Sequence, residues 1–171
     1  MIHAKHQSSH SELCRYRCLM ATHVVEELPL TDILELRLKV LRKGTPSSNP
    51  SYSEDDDPST IHLGVRGGPG VVAVSTWVDR PYPHDTASVA VQLKGMAVDE
   101  SLQGSGIGRL IIEAGEALAR KRGATVVWAR ARDAAMDFYV KCGFSMVGEV
   151  FMDDATGMPH HIVVKKLSPD R

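Results

Sequence analysis

A glycine-rich turn separates a predicted strand, residues 88–98, from a predicted amphipathic helix. Its sequence is Gln103-Gly104-Ser105-Gly106-Ile107-Gly108. The first amide groups of a helix have no partners within the helix and lie at the positive end of its dipole. Glycines lack a Cβ atom, so oxygen atoms can approach those amides closely. The turn therefore predicts an anion site suited to a pyrophosphate.

Two common phosphate-binding motifs fit this turn poorly. A P-loop requires Lys followed by Ser or Thr after its glycines, and neither follows Gly108. A dinucleotide-binding fold requires Gly-x-Gly-x-x-Gly soon after a first parallel strand, whereas the spacing here is Gly-x-Gly-x-Gly. The remaining alternative is a helix start that binds nothing. We disfavour it because each glycine inside a helix costs about 1 kcal/mol of helix stability relative to alanine. Three glycines at that cost suggest that they serve a function.

Hydrophobic periodicity predicts the element order β-α-β-β-β-α-β-α-β-β. A meander followed by a strand–helix–strand unit indicates the α/β (α+β) class, with a mixed, mostly antiparallel sheet flanked by helices. We expect Thr31 and Asp133 to cap the first and third helices. Residues 45–60 are predicted to be a loop or a short irregular helix, and their acidic run, residues 54–57, is expected to be solvated.

The length of 171 residues suits one domain, which we place at residues 23–168. Residues 1–22 are polar and are predicted to be a disordered leader. Twenty Lys and Arg against 21 Asp and Glu give a net charge of −1, which argues against a general nucleic-acid clamp. No apolar run reaches the roughly 18 residues of a membrane span, so we expect no membrane partner.

The three cysteines, Cys14, Cys18 and Cys142, do not form a regular disulfide framework. We interpret them as reduced thiols of a cytoplasmic protein. Cys142 lies at a predicted helix end without an attached His or Asp motif, so we expect it to pack rather than to carry an acyl group. Metal binding by the N-terminal histidines and cysteines is a weaker hypothesis, and we predict no metal cofactor.

Three segments of the chain resemble the GNAT family of acyl-CoA N-acyltransferases. The glycine-rich turn matches that family's signature, Gln/Arg-x-x-Gly-x-Gly/Ala, and residues 94–98 resemble its cofactor strand. The second conserved segment of the family is similar to Ala131-Arg132-x-x-Ala135-x-x-Phe138-Tyr139-x-x-x-Gly143-Phe144. A small subgroup of the family is similar in Leu36-Arg37-x-x-Val40-Leu41-Arg42 and in Gly157-x-Pro159-His160. The resemblance covers residues 23–167.

This resemblance implies the GNAT fold, with acetyl-CoA as the co-substrate. It implies transfer of an acyl group, most often acetyl, to a primary amine by direct attack in a ternary complex. The acceptor would be a small molecule or a peptide, with no nucleic acid involved. Homodimers are common in the family, which leaves that assembly open here. Because folds are reused, the alternative is a non-catalytic acyl-CoA-binding regulatory module.

The resemblance also implies which residues bind the cofactor. They are Met96, Ala97 and Val98 on the strand, Gln103, Gly104, Ser105, Gly106, Ile107, Gly108 and Arg109 at the turn, and Arg132 and Phe138 downstream. In that fold two central strands splay apart, and the amide of Val98 would polarise the thioester carbonyl. Arg130 departs from the family pattern, which commonly has Asn there to hold the pantetheine arm.

The catalytic residues follow from the same resemblance. Tyr139 is expected to be the general acid that protonates the departing thiolate. His160 is the preferred general base, ahead of His161, because imidazole titrates near neutral pH. Glu35 or a chain of water molecules would also serve.

Two arginines of the first helix have open roles. Arg37 and Arg42 would either bind an acidic group of the acceptor or pair at the surface with Asp32 or Glu35. The two tryptophans, Trp77 and Trp128, are expected to lie in the core or in a pocket wall.

Overall fold

The computed structural model describes residues 23–168, which form a seven-stranded sheet and three α-helices. The elements in chain order are β1 (Val25–Glu27), α1 (Leu30–Leu41), β2 (Ile61–Gly67), β3 (Gly70–Asp79), β4 (Ala90–Val98), α2 (Ile107–Lys121), β5 (Val126–Arg132), α3 (Met136–Lys141), β6 (Ser145–Met152) and β7 (Pro159–Lys166). The predicted element order is therefore confirmed.

The order of strands across the sheet is β1-β2-β3-β4-β5-β7-β6. Strands β4 and β5 run parallel, and the other neighbouring pairs run antiparallel. The predicted mixed, mostly antiparallel sheet is thus confirmed. The parallel pair is joined through α2, because parallel neighbours need a long crossover connection.

Helices α1 and α2 lie on opposite faces of the sheet. They pack against adjacent residues of β3, and adjacent residues of a strand point to opposite sides. Val74 of β3 packs with Ile33 and Leu36 of α1. Its neighbour Ala73 packs with Ile107 and Ile111 of α2. The sheet is consequently buried on both faces at its centre, where the two central strands meet.

Two predicted helix caps are wrong. Thr31 lies inside α1, whose N-cap is Pro29, and the Thr31 hydroxyl donates to Asp32 instead of an amide at the helix start. Asp133 begins a short 3-10 turn before α3 and accepts a hydrogen bond from His161. A capping residue type is a weak signal when a neighbouring side chain offers a charged partner.

A glycine on the buried stripe of α2 sets how closely this helix approaches the sheet. A Cβ atom added at Gly115 would lie 1.7 Å from Cζ2 of Trp77. Trp77 is fully buried, and its indole nitrogen donates to Ser75 at 2.8 Å. The indole therefore fills the space that any larger residue at position 115 would need.

No helix within residues 23–168 combines the length and the apolar character that crossing a membrane requires.

Candidate active site

The two central strands separate towards the end of β4 and leave an opening in the sheet. Pairing between β4 and β5 covers residues 90–93 and 126–129. Beyond that point, the pairing of β3 with β4 shifts by one residue, and Gly95 has a φ of +54°. Such a bulge bends a strand and ends its pairing on one side. The splay that the family resemblance implied is thus present.

Two cavities meet at this opening. The first, here named the turn cavity, has a volume of about 740 Å³ and is lined by the glycine-rich turn, the end of β4 and α3. The second, the hairpin cavity, has a volume of about 620 Å³ and is bounded on one side by the β6–β7 hairpin. Residues that line both are Leu41, Met96, Arg132, Ala135 and Tyr139.

The turn cavity brings together most of the residues predicted to bind a cofactor. Its lining includes Met96, Ala97, Val98, Gln103, Gly104, Gly106, Gly108, Arg109, Arg132 and Phe138. The two remaining residues do not line it. The hydroxyl of Ser105 donates to the carbonyl of Leu102, and the side chain of Ile107 is buried in the core.

Two glycines of the turn have distinct structural roles. Gly106 is the N-cap of α2 and has a φ of +94°, a conformation that L side chains adopt only with strain. Gly108 lies against an aromatic ring: an added Cβ atom would be 3.1 Å from Cε2 of Phe138 and 3.2 Å from Cε of Met96. The glycines therefore fix both the backbone path and the close packing beneath the cavity.

The backbone of Val98 faces the opening. The amide of Asp99 donates to the carbonyl of Val72 on the β3 side at 2.8 Å. Since backbone groups of successive strand residues point in opposite directions, those of Val98 point away from β3. The side-chain amide of Gln103 donates to the Val98 carbonyl at 3.2 Å, which agrees with that direction. The Val98 amide is thus directed towards the gap between the strands.

Tyr139 lies at the junction of the two cavities and is 7% exposed. Its ring packs edge-on against Phe138 and Phe144, with centroid distances of 5.4 Å to each. Burial raises the pKa of Tyr139 above its ordinary value, and the nearby Cys142 adds to the rise. The phenol therefore keeps its proton at neutral pH, as a proton donor must.

His160 lines the hairpin cavity and is 6% exposed. Its Nδ1 lies 2.9 Å from the carbonyl oxygen of Met158. A carbonyl only accepts, so Nδ1 carries the hydrogen and Nε2 of the neutral ring is left as the acceptor. The other candidates for a base fit less well. His161 pairs with Asp133 at 2.8 Å, Glu35 is exposed, and neither lines a cavity.

Arg37 does not pair at the surface and does not line either cavity, contrary to both predicted roles. It is fully buried, and its guanidinium binds the carboxylate of Asp55 through two hydrogen bonds of 2.7 and 3.0 Å. It also donates to Thr76 on β3. This bidentate pair joins α1 to the loop at residues 45–60.

The acidic run at residues 54–57 is only partly a solvated surface: Asp56 and Asp57 are exposed as predicted, whereas Glu54 and Asp55 pair with cations. Asp55 has a side chain that is 2% exposed, and Glu54 bridges Arg80 at 2.6 Å and Lys94 at 2.8 Å. Burial alone would raise the pKa of Glu54, but hydrogen bonds and the charge of Lys94 lower it to about 2. Charge density in the sequence did not distinguish solvated carboxylates from buried partners.

Three other predictions concern cysteines, tryptophans and metals. Cys142 is a free, buried thiol that lines the turn cavity, and burial raises its pKa. Trp77 lies in the core, while Trp128 lines the hairpin cavity, as predicted. In residues 23–168, no group of three or more His, Cys, Asp or Glu side chains could hold a metal ion. Cys14, Cys18 and the N-terminal histidines lie outside the described residues.

Comparison with known proteins agrees with this geometry. Residues 30–144 match the family model described as the acetyltransferase (GNAT) family. The uncharacterised N-acetyltransferase YitI of Bacillus subtilis is 29% identical over 142 residues, which cover 83% of this chain and 94% of that protein.

Two solved structures share the fold. An acyl-CoA N-acyltransferase from Pseudomonas aeruginosa is 22% identical, with a TM-score of 0.66 over 84% of this chain and 98% of that one. An aminoglycoside 6′-N-acetyltransferase complexed with coenzyme A is 14% identical, with a TM-score of 0.65 over 86% of this chain and 99% of that one. At these identities the likeness shows the fold alone, and the fold is the acyl-CoA N-acyltransferase fold that the sequence predicted.

Proposed function

This chain belongs to the acetyltransferase (GNAT) family, and from that premise we propose that it transfers an acetyl group from acetyl-CoA to a primary amine. The observation that carries the proposal is the meeting of two cavities at Tyr139. In the turn cavity, the peptide backbone at the start of α2 would suit a pyrophosphate. The hairpin cavity has room for a small acceptor. A reaction between two bound substrates needs this arrangement, because both must reach one point together.

We assign the turn cavity to acetyl-CoA. The unpartnered amides at the start of α2 would hold the pyrophosphate, and Gly106 and Gly108 keep Cβ atoms away from it. The Val98 amide, directed into the gap between β4 and β5, would bind the thioester carbonyl and the negative charge that develops on it. When bound, acetyl-CoA supplies an acetyl group activated as a thioester, which the amine attacks directly in the ternary complex.

Tyr139 is the general acid of this proposal. Its hydroxyl proton moves to the sulfur as the C–S bond breaks, so CoA departs as a neutral thiol. The phenolate then takes up the proton that the nitrogen loses as the amide forms. Burial keeps that proton on the phenol until the sulfur becomes negative, because the pKa of Tyr139 is raised. Aromatic packing against Phe138 and Phe144 holds the ring in place.

His160 is the general base. An ammonium must lose a proton before its nitrogen can attack, and Nε2 of the neutral imidazole is the acceptor in the hairpin cavity. The hydrogen bond from Nδ1 to the Met158 carbonyl fixes that tautomer. His160 would thus take a proton from the amine in the hairpin cavity. Tyr139 would give a proton to the sulfur at the junction of the two cavities.

Replacing Tyr139 by Phe tests the proposal. We expect the rate of CoA release at saturating acetyl-CoA and amine to fall about 100-fold, the typical contribution of a positioned acid. The Kd for acetyl-CoA, measured by calorimetry, should stay unchanged because the ring remains. CoA release is followed with a thiol reagent and must require both acetyl-CoA and an amine.

Tyr82→Phe is the matched control, since Tyr82 is also buried but lines neither cavity. Equal rates in Tyr139→Phe and the parent would remove Tyr139 from this role. Saturable acetyl-CoA binding without turnover across a broad amine panel would favour the non-catalytic binding module instead.

A further inference from the structure

The hairpin cavity has an excess of positive charge. Its cationic lining residues are Arg42, Arg80, Lys94, Arg130 and Arg132, whereas Asp153 is the acidic one. Glu54 lies behind two of these cations and is the second carboxylate in contact with them. The cavity thus has five cationic side chains and only two carboxylates to balance their charge.

These two carboxylates account for three of the cations. Glu54 bridges Arg80 and Lys94, and Asp153 pairs with Arg130 at 3.2 Å. Hydrogen bonds and the charge of Lys94 keep Glu54 ionised, with a pKa of about 2 against the opposing effect of burial. One carboxylate shared between two cations still leaves that group positively charged.

The two other arginines have neutral polar partners. Arg42 donates from Nε to the carbonyl of Asn49 at 2.6 Å, and Arg132 donates to the carbonyl of Leu41. Within the part of the chain that the structure describes, neither guanidinium forms an ion pair. Burial lowers the pKa of Arg132 and the charge of Arg42 adds to the fall, whereas the charge of Asp153 opposes it.

Aromatic rings hold three of these cations, Arg42, Lys94 and Arg130, in the walls of the cavity. Arg42 and Lys94 lie over the ring of Tyr52, at 5.5 and 4.8 Å from its centroid. At the β6–β7 hairpin, Arg130 lies over the ring of Phe151 at 4.8 Å from its centroid. Cation–π contacts restrict long, flexible side chains, so less freedom is lost when a ligand binds them.

We propose that the acceptor is a small primary amine that also carries an anionic group, a carboxylate or a phosphate, bound by Arg42 and Arg132. This inference rests on the proposed function and names the class of acceptor for the same site. Arginine suits both anions because its planar fork matches their oxygen atoms. The same excess charge disfavours polycationic acceptors, since like charges repel in a partly enclosed cavity.

The test uses pairs of amines that differ by one anionic group. Cadaverine is compared with lysine, tyramine with tyrosine, and ethanolamine with phosphoethanolamine. Release of CoA thiol gives kcat/KM for each. We expect the anionic member to be preferred by about tenfold or more, a typical worth of a hydrogen bond to a charged group. The carboxylate and phosphate pairs together identify which anion the cavity takes.

Arg42→Gln connects the preference to this cavity. We expect the anionic-to-neutral ratio of kcat/KM to fall about tenfold, mainly through KM, while Arg42→Lys retains part of it. The matched control is Arg66→Gln, because Arg66 is exposed, pairs with Glu26 and Asp32, and lines neither cavity. Thermal melting and the Kd for acetyl-CoA confirm that each variant is folded.

A salt titration of the unaltered chain gives an independent measurement. The preference for the anionic member should shrink as ionic strength rises, because salt screens the attraction. Turnover of several amines with equal or better kcat/KM for the neutral members would overturn this inference and leave the proposed function standing. If the chain bound acetyl-CoA but released CoA with none of the amines tested, both the inference and the proposed function would be overturned.

Discussion

The turn cavity and the hairpin cavity are built in different ways. Most of the lining of the turn cavity comes from two continuous segments, residues 96–109 and 132–142, and its key groups are backbone amides and glycines. The hairpin cavity draws its lining from α1, the loop after it, the β3–β4 connection, strands β4 and β5, α3 and the β6–β7 hairpin. Its key groups are charged and aromatic side chains.

This difference predicts that the two cavities respond differently to substitutions of their side chains. A site made of amides tolerates many side chains, so its sequence signal is the absence of side chains at Gly106 and Gly108. A site made of side chains from distant segments changes with each substitution. The proposed function accordingly assigns acceptor selectivity to the hairpin cavity. Three predictions test how independent the two cavities are.

The largest effect is expected from the buried pair that supports the hairpin side. Arg37→Met should lower the free energy of unfolding by about 3–5 kcal/mol, because it leaves the buried carboxylate of Asp55 without its partner. Denaturant unfolding measures the loss. The double variant Arg37→Met/Asp55→Leu should recover much of it, since both buried charges are then gone.

The same variant sharpens the comparison between cavities. At temperatures where Arg37→Met is folded, its Kd for acetyl-CoA should match the parent, because Arg37 does not line the turn cavity. A control, Arg66→Met, removes two exposed ion pairs and should cost less than about 1 kcal/mol. A loss of similar size in both variants would contradict the role given to burial.

An intermediate effect is expected on the turn side. Gly106→Ala places a Cβ atom at a φ of +94°, which should strain the N-cap by about 1–2 kcal/mol. Because the amides at that point would hold the pyrophosphate, we expect the Kd for acetyl-CoA to rise about tenfold.

Gly157→Ala is the matched control for this change. Gly157 also has a positive φ, +65°, and no neighbour within 4 Å of an added Cβ atom, but it lies in the β6–β7 loop. Both variants should lose some stability, and the Gly106 variant alone should lose affinity for acetyl-CoA. Equal affinity losses would mean that general backbone strain, not the turn, controls binding.

The smallest effect is a dependence of stability on pH. Glu54 has a pKa of about 2 in the folded chain against an ordinary value of 4.5. A lowered pKa means that the ionised form stabilises the fold, so this contribution is present above about pH 4.5 and is lost as the pH falls towards 2. Glu54→Gln should therefore lose less stability than the parent across that window.

Unfolding followed by denaturant at several pH values measures the difference. The control is Glu149→Gln. Because Glu149 is exposed, this substitution should leave the dependence of stability on pH as it is in the parent. If Glu54→Gln reproduced the parent profile between pH 4.5 and 2, the bridge to Arg80 and Lys94 would not be coupled to folding.

Elements with a local signal were predictable from the sequence. The element order, the glycine-rich turn and the helix end at Gly123 depend on periodicity and on residues near each other in the chain. Gly115 carried a signal that was missed: a glycine in the middle of a buried helical stripe indicates a close neighbour, here Trp77. Which substrate binds in each cavity stays a prediction.

Pairings between distant residues were not predictable. Asp55 lies 18 residues after Arg37, across a loop, and the acidic run around it has the composition of a solvated surface. Asp133 has the residue type of a helix cap but pairs with His161, which is 28 residues away in the chain. In each case the outcome depended on which side chain the fold brought near, and composition does not contain that information.

By itself, the sequence determined where the chain bends, which faces are apolar and where backbone amides are left bare at a helix start. Those properties depend on glycine, on hydrophobic spacing and on hydrogen bonds that close within a few residues. The tertiary structure alone decided that Arg37 is buried, that Tyr139 stands between two cavities and that Arg42 and Arg132 share one of them. Those facts arise from long-range packing, where the energy of a charge depends on neighbours that the linear order does not name.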